Sequence, residues 1–273
     1  MTGEGTVPVW LTPAIIAVTF GTLLFAETLW PLRRTVEGRL RRIVRNLTTG
    51  GVSLAFMVLL QTPIVLPVAR LVDEKQIGLL GMVELPRVVE IILAIAILDY
   101  TLWIWHWLSH RVPFLWRFHL VHHVDLDLDS STALRFHFGE LTLSIGVRAL
   151  QIAIAGADMT AVAIWQAILF ASILFHHSNI RLPGRLERFL VTFIVTPRMH
   201  GIHHSAREKE TNSNWSSLLT VWDFLHRTFR FDVPDEKIII GVPAYRNRRD
   251  VTIGRILLLP FRRQRRDWEG EPP

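Results

Sequence analysis

The stretch WHWLSHRVPFLWRFHLVHHVDLDLDSSTALRFHFGE, residues 105–140, carries six of the chain's twelve histidines. Five of them stand in two tight groups, His106/His110 and His119/His122/His123. The spacing of the second group recurs 81 residues later as His200/His203/His204. The others are His137, His176, His177 and His226, so no histidine precedes residue 106 or follows residue 226. On a helix, residues three and four apart share a face. The spacing therefore predicts short helices that each present two or three imidazoles on one face. Repeated HxxHH and HxxxH groups point to metal binding. Eight or more nitrogen donors suit two ions better than one.

Imidazole serves iron, zinc, copper and nickel. The chain contains no cysteine, which removes thiolate zinc sites, iron–sulfur clusters, cysteine-ligated haem and disulfides.

Working outward, half of the 273 residues are hydrophobic and the net charge is +6. Arginine carries almost all of the positive charge, since lysine occurs only at 75, 209 and 237. Long apolar runs make an anionic membrane surface, not nucleic acid, the expected partner of that charge. MTGEGTVPVW at the N-terminus has no basic segment of the kind that opens a signal peptide.

Residues 7–30 form a first apolar run, long enough to span a hydrocarbon core of about 30 Å. RRTVEGRLRRIVRN (33–46) follows with six arginines. Arginine-rich loops stay on the cytoplasmic side, which predicts an outside N-terminus. Residues 47–71 are expected to cross outward and 88–107 to return, leaving His106 and His110 at a cytoplasmic helix end. Runs 141–157 and 161–175 read as a hairpin that leaves and comes back, with Arg148 making its first arm marginal against lipid. All histidines then fall on one side of the membrane. Trp103, Trp105, Trp107 and Trp116 fit an interfacial aromatic belt. An acid within a span costs about 2.5–3.5 kcal/mol, so Asp99 needs a partner. It either orients His106, two turns away, or bonds another helix. Residues 189–195 read as interfacial. The arginine-rich tail shows no catalytic pattern and is expected either to bind headgroups or to lie in solvent.

The predicted fold is an all-α integral membrane protein. It has four to five transmembrane or re-entrant helices and a cytoplasmic helical cap that carries the histidines. The expected division is membrane helices over 1–94, a histidine-bearing domain over 95–230 and a basic tail over 231–273.

HWLSH (106–110), FHLVHH (118–123), ALRFHFGE (133–140), FHHSN (175–179), TPRMHGIHH (196–204) and VWDFLHRTF (221–229) together resemble the fatty acid hydroxylase superfamily, also called the sterol desaturase family. The resemblance covers roughly residues 95–230. It implies a membrane-bound non-haem di-iron oxygenase that takes O2 and two electrons to a lipid substrate. Carried over position by position, it implies nine metal ligands: His106, His110, His119, His122, His123, His177, His200, His203 and His204. Asp99, Arg135, His137, Glu140 and Asn179 are candidates for supporting the di-iron centre. RFHFGE departs from the family's usual RxHPxE, and Asn214-Trp215-Ser216 stands where Asn-Tyr-Gly is common. His176 and His226 fall outside the ligand pattern. No cytochrome b5 segment and no flavin or NAD motif is present, so electrons are expected from a separate cytochrome b5-like or ferredoxin-like donor. Alternatives are a membrane zinc hydrolase, though no cluster holds the carboxylate of HExxH, a haem-bearing electron carrier, and a metal- or lipid-binding pseudoenzyme.

Overall fold

A computed structural model describes residues 11–270. The predicted absence of a signal peptide and the start of the first apolar run fall on residues 1–10, outside the described residues. Within them the chain is helical, with isolated bridges in place of strands.

The long helices are α1 (Leu11–Leu29), α2 (Arg39–Lys75), α3 (Arg87–Arg111), α5 (Phe138–Ala155) and α6 (Met159–His177). The short ones are α4 (Pro113–His123), α7 (Gly184–Leu190), α8 (Pro197–His203), α9 (Glu208–Thr211), α10 (Val221–Leu225) and α11 (Ile253–Leu258). Four segments are long and apolar enough to cross a membrane: Arg39–Gln61 of α2, then α3, α5 and α6. The apolar part of α1, Ala14–Leu29, is shorter.

Helix α2 packs along α5, and α3 against α5 and α6. Their shared core holds Val65, Ala69, Leu98, Ile145, Ile152, Trp165 and Leu169. At the end far from the histidines, α5 stops at Gly156, whose φ of 71° only glycine adopts freely. A Cβ on Gly78 would lie 2.3 Å from the Gly156 nitrogen, so the two backbones touch there. Arg148 does not face lipid with a bare charge. Its guanidinium lies over the Trp165 ring at 4.5 Å.

Thirty-seven residues give α2 a length of about 55 Å. That exceeds the hydrocarbon core, so the helix projects beyond it. The projecting end revises the reading of the arginine-rich segment. Arg42 and Arg45 are buried, and they pair with the acidic run that follows His123. Arg42 lies 3.0 Å from Asp125 and 2.6 Å from Asp129, and Arg45 lies 3.0 Å from Asp125 and 2.7 Å from Glu37. Asp127 accepts the backbone N–H groups of Val36 and Glu37. Burial alone raises the Asp125 pKa, but Arg42, Arg135 and Arg45 outweigh it and hold Asp125 well below the usual carboxylate range. Glu27 ties α1 to the same region by accepting from Ser130 and from the Asn179 N–H.

The tail packs on the histidine-bearing domain through its apolar residues, while Arg262, Arg263, Arg265 and Arg266 stay exposed. Val242, Tyr245, Val251, Ile256 and Leu259 bury themselves against Leu120, Val121, Val124 and Leu126. Trp116 donates to Asp267 at 2.8 Å. The tail thus covers the back of α4. Trp103 is buried and donates to Asp223 at 3.0 Å, so it serves packing; Trp105, Trp107 and Trp116 are half-buried. In the stretch 189–195, Phe189 and Phe193 are exposed while Val191 and Val195 are buried.

Candidate metal centre

Four helix ends meet beneath this cap. Helix α3 brings His106 and His110 in its last two turns. Val112 turns the chain and Pro113 opens α4 at a position where its missing N–H costs nothing. Helix α4 carries His119, His122 and His123. Helix α6 ends on His176 and His177. Thr196 caps α8, and Pro197 opens it. Its His200 and His203 are followed by His204.

Nine histidines assemble into two groups. His106, His110, His119, His123 and His203 form one, and His122, His177, His200 and His204 the other, with the candidate ligand atoms of each group within 4.8 Å of one another. Each HxxHH cluster is split between them. Residues i and i+4 of a helix diverge by about 40°, whereas adjacent residues diverge by about 100°. His119 and His123 therefore serve one group and His122 the other. In α8, His200 and His204 serve the second group while His203 reaches the first. The expectation of three imidazoles on one face is corrected to two faces and two sites.

The outer ring nitrogens fix the chemistry of the inner ones. Nδ1 of His106 lies 2.7 Å from the Trp215 carbonyl, Nδ1 of His203 2.8 Å from that of Ser213, and Nδ1 of His177 2.8 Å from that of Ile173. Nδ1 of His122 lies 3.3 Å from the Arg135 carbonyl, and Nδ1 of His119 2.7 Å from Glu140 Oε1. Carbonyls and carboxylates only accept, so each Nδ1 carries the proton and each Nε2 presents a lone pair. Yet Nε2 of His177 lies 3.0 Å from Nε2 of His122. Two lone pairs at that distance repel unless a cation lies between them. The Nε2 atoms of His110 and His203 are buried with no hydrogen-bond partner. Burial, followed by the neighbouring imidazoles, holds His122, His123, His200 and His204 well below the ordinary histidine pKa. Burial takes His203 down to about 3, against the opposing pull of the Ser213 carbonyl. Neutral rings with free lone pairs are the form that metals bind. The donor set fits two ions.

The supporting residues fall in different places. Glu140 touches His119 directly. Arg135 holds His122 through its backbone, while its side chain bonds the Val121 carbonyl and Asn46. His137 caps α5, accepting from the Gly139 N–H at 2.9 Å, with its Nε2 beside the Leu257 carbonyl. Asn179 binds the backbone of Arg33. Asp99 bonds another helix and not His106, accepting from the Leu219 N–H and, at 2.7 Å, from Trp222 Nε1. His176 packs on His200 with ring centroids 4.1 Å apart but belongs to neither group. His226 stacks on Trp103 and bonds Tyr100.

Sequence reasoning missed Asp223. Its carboxylate accepts from the backbone N–H groups of Trp215 and Ser216, from Trp103 Nε1 and from Thr228. It thereby fixes the segment whose carbonyls hold His106 and His203. The only signal was an acid set among apolar residues in VWDFLHRTF. Asn214 adopts φ 56°, a left-handed conformation that asparagine tolerates. Its amide joins Met199 to Arg230.

The family model described as fatty acid hydroxylase matches residues 91–228. The ornithine lipid hydroxylase OlsE of Rhizobium tropici is 28% identical over 238 residues, covering 86% of this chain and 70% of that protein. Human alkylglycerol monooxygenase is 26% identical over 144 residues, covering 53% of this chain and 31% of that one. Mouse cholesterol 25-hydroxylase is 27% identical over 154 residues, covering 54% and 50% respectively. This chain therefore spans half or less of the two animal proteins. No solved structure matches it.

Proposed function

This chain belongs to the fatty acid hydroxylase family, and from that premise we propose that it is a multi-pass membrane hydroxylase with two irons and a polar lipid substrate. The observation that carries the metal assignment is the facing pair of Nε2 lone pairs on His122 and His177. In this reading His106, His110, His119, His123 and His203 hold one iron, and His122, His177, His200 and His204 the other. Bound there, the iron pair supplies activation of O2 and attack on an unactivated C–H bond, with hydroxylation or desaturation as the outcome.

The chain's own residues do the rest. Glu140 and the carbonyls of Trp215, Ser213, Arg135 and Ile173 hold the proton on Nδ1 and aim each Nε2 inward. Asp223 fixes the Ser213–Ser216 carbonyls. Helices α4 and α8 and the tail shut bulk water out behind the rings. Electrons come from a separate small carrier, a cytochrome b5 or a ferredoxin. Arg34 and Arg41, the exposed arginines of 33–45, support a cytoplasmic position for the histidines and the tail. The polar-lipid assignment is supported by the 86% coverage shared with the ornithine lipid enzyme.

A zinc hydrolase is less well supported. Its water would need a carboxylate base facing the metal, whereas Glu140 stands behind His119 on the Nδ1 side.

The test is turnover under oxygen-18 gas. The iron-loaded protein, in bilayer discs made from total bacterial lipid, is supplied with ferredoxin and its reductase. A lipid that gains one oxygen-18 atom supports the hydroxylase. An unlabelled lipid pool with no new double bond contradicts it.

A further inference from the structure

A cleft of about 490 Å³ opens beside the five-histidine group, and the proposed reaction leaves it unassigned. Its lining includes Arg111, Lys209, Arg227 and Arg230, with Trp215 and Ser213 at its inner wall. Four cations face one carboxylate there, Asp232, which pairs with Arg230 at 3.1 Å. Arg111 lies over the Trp215 ring at 5.5 Å. Among the described residues neither Lys209 nor Arg227 pairs with a carboxylate. The inner wall is one residue thick, because the carbonyls of Trp215 and Ser213 themselves hold His106 and His203.

The elements around the cleft carry the sequence pattern of a lipid boundary. Arg111 ends the apolar helix α3. Helix α10 leans on that same helix, since Trp222 bonds Asp99 and His226 bonds Tyr100. The outward side of α10 is apolar, with Val221, Phe224 and Leu225 exposed. Arg227 follows two residues later. Apolar side chains exposed against a membrane helix, with cations immediately beyond, mark the headgroup boundary. A second cleft of about 540 Å³, formed by Ala244, Arg263–Arg266 and Glu269, lies in the tail and touches none of the nine histidines.

We propose that the Arg111–Lys209–Arg227–Arg230 cleft binds the anionic headgroup, phosphate or carboxylate, of the lipid substrate. The claim rests on the hydroxylase reading and narrows it: neutral sterols and glycerol ethers are poor substrates for this chain. A shallow cation-lined cleft beside exposed apolar side chains suits a lipid headgroup better than a docked electron carrier, which needs a broad surface facing water.

Binding is measured by native mass spectrometry on the full-length protein released from detergent, with phosphatidylglycerol, diacylglycerol, cholesterol and inorganic phosphate as probes. Neither iron nor turnover is needed. Phosphatidylglycerol is expected to bind at least about tenfold more tightly than diacylglycerol or cholesterol. The Lys209→Gln/Arg227→Gln double variant is expected to lose about tenfold, since neither side chain holds the fold by a hydrogen bond. The Arg34→Gln/Arg262→Gln variant, which removes the same charge elsewhere, is expected to bind as wild type. An unchanged thermal unfolding midpoint confirms that the double variant is folded.

Equal binding of the three lipids, or a double variant that binds like wild type, overturns the proposal. Inorganic phosphate that binds as tightly as phosphatidylglycerol reassigns the cleft to a free anion. A double variant that keeps its lipid preference but loses ferredoxin-driven reduction reassigns it to carrier docking. Oxygen-18 incorporated into a neutral lipid would defeat the headgroup claim and leave the hydroxylase standing. A retained anionic preference without any labelled product would do the reverse.

Discussion

Nδ1 of His119 lies 2.7 Å from Oε1 of Glu140, both side chains buried, and Nε2 of the same ring lies 3.2 Å from Nε2 of His123. The carboxylate fixes the tautomer and makes the imidazole a stronger donor. Losing such a partner commonly costs 10–100-fold in metal affinity. Glu140→Gln keeps an acceptor oxygen without the charge and is expected to weaken one metal by about tenfold. Glu140→Ala should come nearer to a hundredfold. Titration of the stripped protein with Fe(II) under anaerobic conditions checks both. Equal affinity in all three proteins would remove Glu140 from the site.

Asp223 is expected to govern one metal and not the other. Asp223→Asn replaces one oxygen with an amide NH2 that faces donors already in place. An unsatisfied buried donor costs about 1–3 kcal/mol. The variant should lower the unfolding midpoint and loosen the carbonyls that hold His106 and His203. Metal content should fall from about two per chain towards one, because among the described residues the ring hydrogen bonds of the four-histidine group go to other partners. Loss of both metals together would mean that Asp223 acts on the fold as a whole.

Arg42 and Asp125 join the projecting end of α2 to the loop that follows His123. Breaking a buried pair by removing one partner costs about 3–5 kcal/mol, while replacing both with apolar groups often costs much less. Arg42→Met and Asp125→Leu are each expected to destabilise strongly, and the double variant to lose clearly less than the sum of the two, with a remaining loss from Asp129 and Arg45, which also pair with them. Urea unfolding in detergent micelles measures the cycle. Additive losses would contradict a coupled pair.

Acid is expected to destabilise the metal-free protein. In the unfolded chain histidine titrates near its ordinary value of 6.5, whereas His203 is held at about 3 and His122, His123, His200 and His204 are also well depressed. Above about pH 6.5 both states are neutral and the groups contribute no slope. Below it the unfolded chain takes up protons that the folded one refuses. Stability then falls by up to about 1.4 kcal/mol per pH unit for each such ring. For His203 that loss continues to about pH 3. Thermal unfolding of chelator-treated protein from about pH 8 to pH 5 should show a plateau and then a decline. A midpoint that rises on acidification would contradict neutral buried rings.

Much of this was legible in the sequence, and what was not has identifiable causes. Helical spacing alone placed His106 with His110 and His200 with His204, because contacts four residues apart are local. The apolar runs likewise announced the spanning helices. The division of each HxxHH cluster between two groups was hidden, since it depends on which neighbouring helix each face meets. The partners of Arg42 lie some 83 residues away, so its charge read as a topology signal alone. Asp99 stands on the same stripe as His106, yet a closer donor on another helix, Trp222, claims it. The tail showed arginines where its buried Val242, Tyr245 and Ile256 mattered more.

The most direct test of two separate histidine groups is the metal content of the purified protein after anaerobic iron loading. Wild type is measured beside His203→Ala, which removes a donor from the five-histidine group, and His122→Ala, which removes one from the four-histidine group. The two-site account expects about two irons per chain in wild type and about one in each variant, with little left when both substitutions are combined. A single iron per chain in wild type, or a full complement retained in either variant, would contradict it.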